Sequence, residues 1–240
     1  MAHPEIPVAF DEKHAAAYDE RFAQIVAIRE ALHLLMRALL ADLPHDARIL
    51  CVGAGTGAEL LTLAKHFPQW TFTAVEPAAP MLARCQRRAT EHGFADRCTF
   101  HLGYLDSLPR TEPFHAATSL LVSHFITDRA ARSDYFRQIA SRLGPLGWLI
   151  NADLSGDQAS SDHTQLEDAW FRLMRFTGQT DEQREGMRAA YRKDVGFLPL
   201  PELEALIASA GFASPTLFYQ ALLIRAWFTQ HRPIEVKRTS

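Results

Sequence analysis

Hydrophobic and polar positions along the chain switch repeatedly between two periods. Arg48 to Val52 is a short apolar run of the kind a buried strand presents, and from Ala58 the apolar residues recur at helical spacing through Leu60, Leu61, Leu63, Ala64 and Phe67. The same alternation continues. It predicts strands at Thr71–Val75, Cys98–Leu102, Phe114–Leu120 and Trp148–Asp153, and helices from Met81 to about His92 and from Arg129 to Leu143. Before the first strand, Ile25 to Leu40 carries Ile25, Ile28, Leu32, Leu35, Met36 and Leu39 on one face, and Asp11 onward continues the helical pattern with a break near Ala23. After the fifth strand, Asp162–Phe176 and Asp181–Lys193 read as two helices, the second with Asp181 as its N-cap. Glu202–Ala210 reads as a further helix, followed by strands at Ser214–Tyr219 and Ala221–Thr229 that join at Gln220. Strands alternating with helices imply an α/β fold with a parallel sheet.

The punctuation between the first strand and its helix carries the chemistry. Gly53, Ala54, Gly55, Thr56 and Gly57 follow Val52 directly. Such a turn brings backbone close to a ligand and aims the free N–H groups of the next helix into the same space. Glu76 stands at the end of the second strand, about 20 residues beyond Gly55, where a carboxylate takes ribose hydroxyls. Gly53, Gly55 and Ala58 satisfy G-x-G-x-x-[GA], the dinucleotide fingerprint, while Gly53, Gly55 and Gly57 equally satisfy G-x-G-x-G. An NAD-dependent oxidoreductase therefore stays open on the turn alone. The finish of the chain, helix then A-G-F then two strands without a separate substrate domain, favours the second form.

The runs I-L-C-V-G-A-G-T-G, F-T-A-V-E-P-A-A-P-M-L and L-G-P-L-G-W-L-I resemble class I S-adenosylmethionine (SAM)-dependent methyltransferases, over roughly Phe10 to Phe228. Among these the chain is similar to small enzymes of the branch that includes carboxy-SAM synthase. The resemblance implies a Rossmann-like, seven-stranded, mostly parallel sheet with helices on both faces and an antiparallel last strand. It also implies one domain over residues 1–240: a helical lid at 10–42, a cofactor core at 47–153, a substrate-covering helical insertion at 155–195, and a C-terminal helix and strands at 199–230. SAM is the implied cofactor, S-adenosylhomocysteine the product, and no metal is called for.

By the same resemblance, Tyr18 beside Asp19 lies over the cofactor, or else anchors a surface helix. Gly53, Ala54, Gly55 and Gly57 cradle it, and Glu76 followed by Pro77 takes the sugar. Met81 packs on the adenine, or is plain core. Relatives carry an acid after the glycine of the third strand, where this chain has Tyr104; Leu105 and Asp106 follow and are the alternatives for the adenine edge. Leu120 and Leu121 end the fourth strand at the ligand edge of the sheet. His124 is a candidate general base, against the reading of a histidine that only packs. Phe125, Trp170, Tyr191 and Arg192 are candidates for the acceptor side, core packing being the competing account of the aromatics. In the carboxy-SAM synthase alternative, Arg192 holds the extra carboxylate.

Two departures matter. Cys51 stands where relatives have the acid that orients the methionyl amino group, with Glu59 and Asp19 as candidate replacements; a SAM-binding module without catalysis is the third alternative. L-L-V-S-H-F replaces the N-P-P-[YF] used for planar amides and adenines, which favours a small, partly apolar acceptor.

Composition adds limits. Lys and Arg number 25 against 28 Asp and Glu, too balanced for a broad nucleic-acid face. Three dispersed cysteines, Cys51, Cys85 and Cys98, fit reduced thiols and a cytoplasmic setting. No apolar run approaches a membrane span, and the start of the chain lacks signal-peptide regions. The exposed helical insertion is a candidate contact for a homodimer.

Overall fold

The computed structural model describes residue 23 and residues 25–232. Tyr18 and Asp19 lie outside the described residues, as does the first part of the expected lid; its second helix is present as α1 (Val26–Leu40).

Among the described residues, seven strands form one sheet in the order β3-β2-β1-β4-β5-β7-β6. β1 (Arg48–Val52), β2 (Thr71–Glu76), β3 (Cys98–Leu102), β4 (Phe114–Leu120) and β5 (Leu143–Leu154) run parallel. β7 (Ile224–Gln230) inserts antiparallel between β5 and β6 (Thr216–Ala221). The strand order reverses between β1 and β4, which opens a crevice above their carboxyl ends.

The pleat divides β1 between two cores, because successive side chains point to opposite faces. Ile49 and Cys51 pack with α1, α2 (Ala58–His66) and α3 (Ala79–Glu91). Leu50 and Val52 pack with α4 (Arg129–Ala140) and α7 (Leu200–Ser209). A strand buried on both sides must be apolar throughout, and this is why Ile49–Val52 reads as an unbroken hydrophobic run. A third apolar cluster joins α5 (Ser161–Leu173) and α6 (Asp181–Asp194) to the ends of β4 and β5 through Trp170, Phe171, Met174, Val195 and Phe197. The insertion thereby forms a roof over those two strand ends.

Several boundaries differ from the sequence expectation, each for a local reason. α3 begins at Ala79 rather than Met81, since Pro80 sits in the first turn, where a missing N–H costs nothing. The cap of α6 is Thr180, not Asp181: its hydroxyl accepts from Gln183 N–H while the Gln183 side chain returns to the Thr180 backbone, a capping box. Gly144–Gly147 is not a turn before β5 but a bulge within it. Phe114 pairs with Leu143 and Ala116 with Trp148, so the intervening residues loop out of the ladder, with Leu146 at φ 59°. The β6–β7 reversal falls at Leu222 and Leu223, not at Gln220; Leu222 takes the left-handed conformation that glycine or asparagine usually marks, and no such residue is there to signal it.

Candidate functional site

The glycine turn lies over the crevice. Gly53 and Ala54 donate to the Val75 carbonyl, at 2.8 and 3.1 Å, which draws the turn across the end of β2. Gly53 and Gly57 have φ of 71° and 79°. A side chain on Gly53 would strike Val122, and one on Gly57 would stand 2.6 Å from Cys85 Sγ. Both positions therefore require glycine for conformation and for space. Gly55 differs: the only atom near its absent Cβ among the described residues is Met81 Cε, at 3.8 Å. Its open side is what a ligand needs to approach the backbone. Met81 is buried and lies against the turn.

Glu76 is the anchor of this turn. Its Oε2 accepts from Gly55 N–H at 2.9 Å and its Oε1 from Ala78 N–H at 2.9 Å. Each oxygen keeps a further lone-pair site, so the carboxylate has capacity for two hydroxyl donors. Burial pushes its pKa up, and the two N–H donors partly oppose this. Pro77 is half-buried beside it. Tyr104 stands close enough for its hydroxyl to feel the Glu76 charge, after burial the main influence on its raised pKa, while Asp106 is exposed. Leu105 is buried, and its carbonyl accepts from Arg142 at 2.6 Å. Arg142 also binds the carbonyls of Leu108, at 2.8 Å, and Pro109, at 3.3 Å. One buried guanidinium thus fixes the whole loop that follows β3.

The other side of the crevice holds a network that centres on Asp153, near the end of β5. Its Oδ1 accepts from the His124 backbone N–H at 2.9 Å and from His124 Nδ1 at 3.0 Å. Its Oδ2 accepts from Ser123 Oγ and from Asn151 Nδ2, and lies 3.2 Å from Arg132 Nη2. Burial alone drives the Asp153 carboxyl toward protonation. The Arg132 charge, with the hydrogen bond and charge of His124, outweighs it and holds the pKa at about 2. A proton on His124 Nδ1 would serve the Asp153 carboxylate, while the Leu154 N–H also approaches Nδ1 at 3.4 Å; in that tautomer Nε2 is the acceptor. Nε2 has no partner among the described residues and is not among the buried unpaired atoms. His124 is 2% exposed, so this opening is narrow.

Further bonds brace the loop. Gly196 N–H donates to the His124 carbonyl at 2.7 Å, and Arg132 Nη1 to the Gly196 carbonyl at 2.6 Å. These tie the segment after α6 to the end of β4. Phe125 packs beside His124, tilted by 46°, with centroids 4.3 Å apart. Leu120 is half-buried, and Leu121, at φ 61°, turns the chain out of β4 toward the roof cluster.

The structure therefore brings together the glycine turn, Glu76, Pro77, Met81 and Tyr104 on one side, and Leu121, His124 and Phe125 on the other. Trp170 is buried in the roof and donates to Tyr191 Oη at 3.1 Å; Tyr191 packs on Phe171 and Phe197. Arg192 is exposed on α6 and gives the carboxy-SAM alternative no support. A cleft of about 550 Å³ between α5 and α6, lined by Arg172, Arg175, Arg184 and Arg188 with three carboxylates, contains none of the turn or Asp153 residues. No group of three His, Cys, Asp or Glu suited to a metal occurs among the described residues, and none of their helices is long and apolar enough to cross a membrane.

Sequence reasoning missed Asp153 and Arg132. The signals were present: Asn151 and Asp153 interrupt an otherwise apolar strand end, and Arg132 shares the apolar face of α4 with Phe136, Ile139 and Ala140. An arginine on an apolar stripe needs a buried anion.

The fold is that of solved methyltransferase structures, and residues 49–147 match the family model described as a methyltransferase domain. Among curated proteins the chain is 30% identical over 90 residues to the release factor glutamine methyltransferase of Coxiella burnetii, covering 37% of this chain and 32% of that one. Among solved structures it is similar to a Nostoc punctiforme protein described as a candidate O-methyltransferase, with TM-score 0.67, 19% identity, and 95% of this chain and 61% of that one covered. It is likewise similar to the mitomycin 7-O-methyltransferase MmcR, with TM-score 0.64, 19% identity, and coverage of 92% and 58%. The chain spans about a third of the length of that curated relative and about three-fifths of the two solved structures.

Proposed function

We propose that this protein methylates a hydroxyl group on a small, partly apolar acceptor, with SAM as donor and His124 as general base. The observation that carries the reading is the His124–Asp153 pair at the carboxyl ends of β4 and β5, with Nε2 left open. SAM, when bound, supplies a methyl group already activated by a positive sulfur.

The residues fit such a cofactor. The open side of Gly55 admits a close ligand, Glu76 has two free acceptor sites for the sugar hydroxyls, and Met81 with Tyr104 flanks the adenine side. The protein's own work is then positioning and proton transfer. A hydroxyl held near Nε2 gives up its proton there as its oxygen becomes the nucleophile. Asp153 keeps the imidazole in the required tautomer and stabilises the imidazolium that results. The apolar roof of Phe171, Tyr191 and Phe197 and the ring of Phe125 exclude water from the acceptor. The glutamine acceptor of the Coxiella protein does not transfer readily, because L-L-V-S-H-F ends β4 here without a planar-amide cradle.

Incubation with methyl-tritiated SAM and a panel of phenols, aliphatic alcohols, amines and carboxylates tests this directly. Label is expected in one or more hydroxyl compounds, with S-adenosylhomocysteine formed in equal amount. Labelled amines with unlabelled hydroxyls would overturn the hydroxyl assignment.

A further inference from the structure

The carboxyl that relatives place at the tip of the first strand is absent here, since Cys51 occupies that position. The structure puts another carboxyl against it. Glu59, in the first turn of α2, is 6% exposed, and its carboxyl reaches back to β1 and β4. Its Oε1 accepts from Thr118 Oγ1 at 2.7 Å, and Thr118 is the residue that Cys51 faces across the β1–β4 ladder. Cys51 itself hydrogen-bonds to Glu59.

No cation pairs with this carboxyl among the described residues. The groups around it are Cys51 from β1, Thr118 from β4 and Cys85 from α3, with Tyr135 of α4 sensing its charge through the sheet. Glu76 of β2 is the other carboxyl near the turn. Arg88 of α3 reaches the turn but directs its Nη1 to the Thr56 carbonyl and hydroxyl, at 2.7 and 3.0 Å. Burial raises the Glu59 pKa to about 7, against the pull of the Thr118 and Cys51 hydrogen bonds. A buried carboxylate without a counter-cation is costly, so near neutrality Glu59 is divided between its two forms.

We propose that Glu59 replaces the missing strand-tip acid and serves as counter-charge to the cationic methionyl end of SAM, so that cofactor binding expels a proton from this carboxyl. The inference rests on the reading that the chain binds SAM. A cation arriving above the turn favours the ionised form, and by linkage the ionised form favours the cation. Glu59 is a positioning residue in this account, and SAM affinity falls as pH drops below 7.

Calorimetric titration of SAM into the full chain, in two buffers of different ionisation enthalpy, counts the protons. At pH 7 the wild type is expected to release about half a proton, and more at pH 6, while Glu59→Gln releases none above the shared background. SAM binding without proton release at either pH, or release unchanged in Glu59→Gln, overturns the role of Glu59 and leaves the SAM reading intact. No SAM binding by the wild type overturns that reading and the inference with it. Should Glu59→Gln fail to fold, carboxyl NMR of glutamate-labelled wild type replaces it. One carboxyl titrating near pH 7 is expected to shift below pH 6 with SAM, and a carboxyl that does not move overturns the proposal.

Discussion

Replacing His124 with asparagine lowers turnover by about 10²- to 10⁴-fold, the usual contribution of a general base, and leaves SAM affinity unchanged. The effect is large because the geometry gives His124 a single proton-accepting atom. Nδ1 is committed to Asp153 at 3.0 Å, and Nε2 alone remains for an acceptor hydroxyl. The substitution keeps a donor for Asp153 and removes that base. Steady-state rates on a labelled hydroxyl acceptor, with calorimetry for SAM, separate the two effects. Turnover within a few-fold of wild type would show that positioning next to the sulfonium suffices and that His124 only packs.

Asp153→Asn has the next largest effect, on stability as well as rate. The neutral side chain leaves Arg132, 1% exposed, without its counter-charge. Removing one partner of a buried pair costs about 3–5 kcal/mol. The sign with pH follows from the depressed pKa. Asp153 titrates at about 2 in the folded chain against an ordinary value of 3.8, so its contribution is present above that ordinary value. It is lost as pH falls toward 2. Urea midpoints of wild type and variant are therefore expected to differ widely at pH 7 and to converge below pH 4. A difference independent of pH would mean that the carboxylate charge is not what stabilises the folded chain. Combining Asp153→Asn with Arg132→Met should recover part of the loss, since no orphaned guanidinium remains.

The glycine-turn half of the candidate site was legible in sequence because it is local. Gly53, Gly55, Gly57 and Glu76 sit on one strand–turn–helix–strand unit, and backbone constraints tie each residue type to its place. The His124–Asp153 half was not. His124 and Asp153 are 29 residues apart, on neighbouring strand ends, and only the β4–β5 register brings them together. Without that register, His124 had no visible partner. Glu59 shows a third case: its chemistry was visible and it was one of two candidate replacements for the missing acid, but only the Cys51–Thr118 pairing reveals that its carboxyl lies against Cys51. Fold class was readable from the alternation of periods, whereas the bulge at Gly144–Gly147 and the turn at Leu222 were not. In both, tertiary pairing imposes a conformation that the local residues do not announce.

Everything above depends on an adenosyl ligand lying on the turn that Glu76 holds. Calorimetric titration of SAM into the wild type and Glu76→Gln measures this most directly. The account predicts saturable binding to the wild type and a loss of about 10- to 100-fold in the variant, the worth of hydrogen bonds to a charged group. Equal affinity in the two proteins would contradict it.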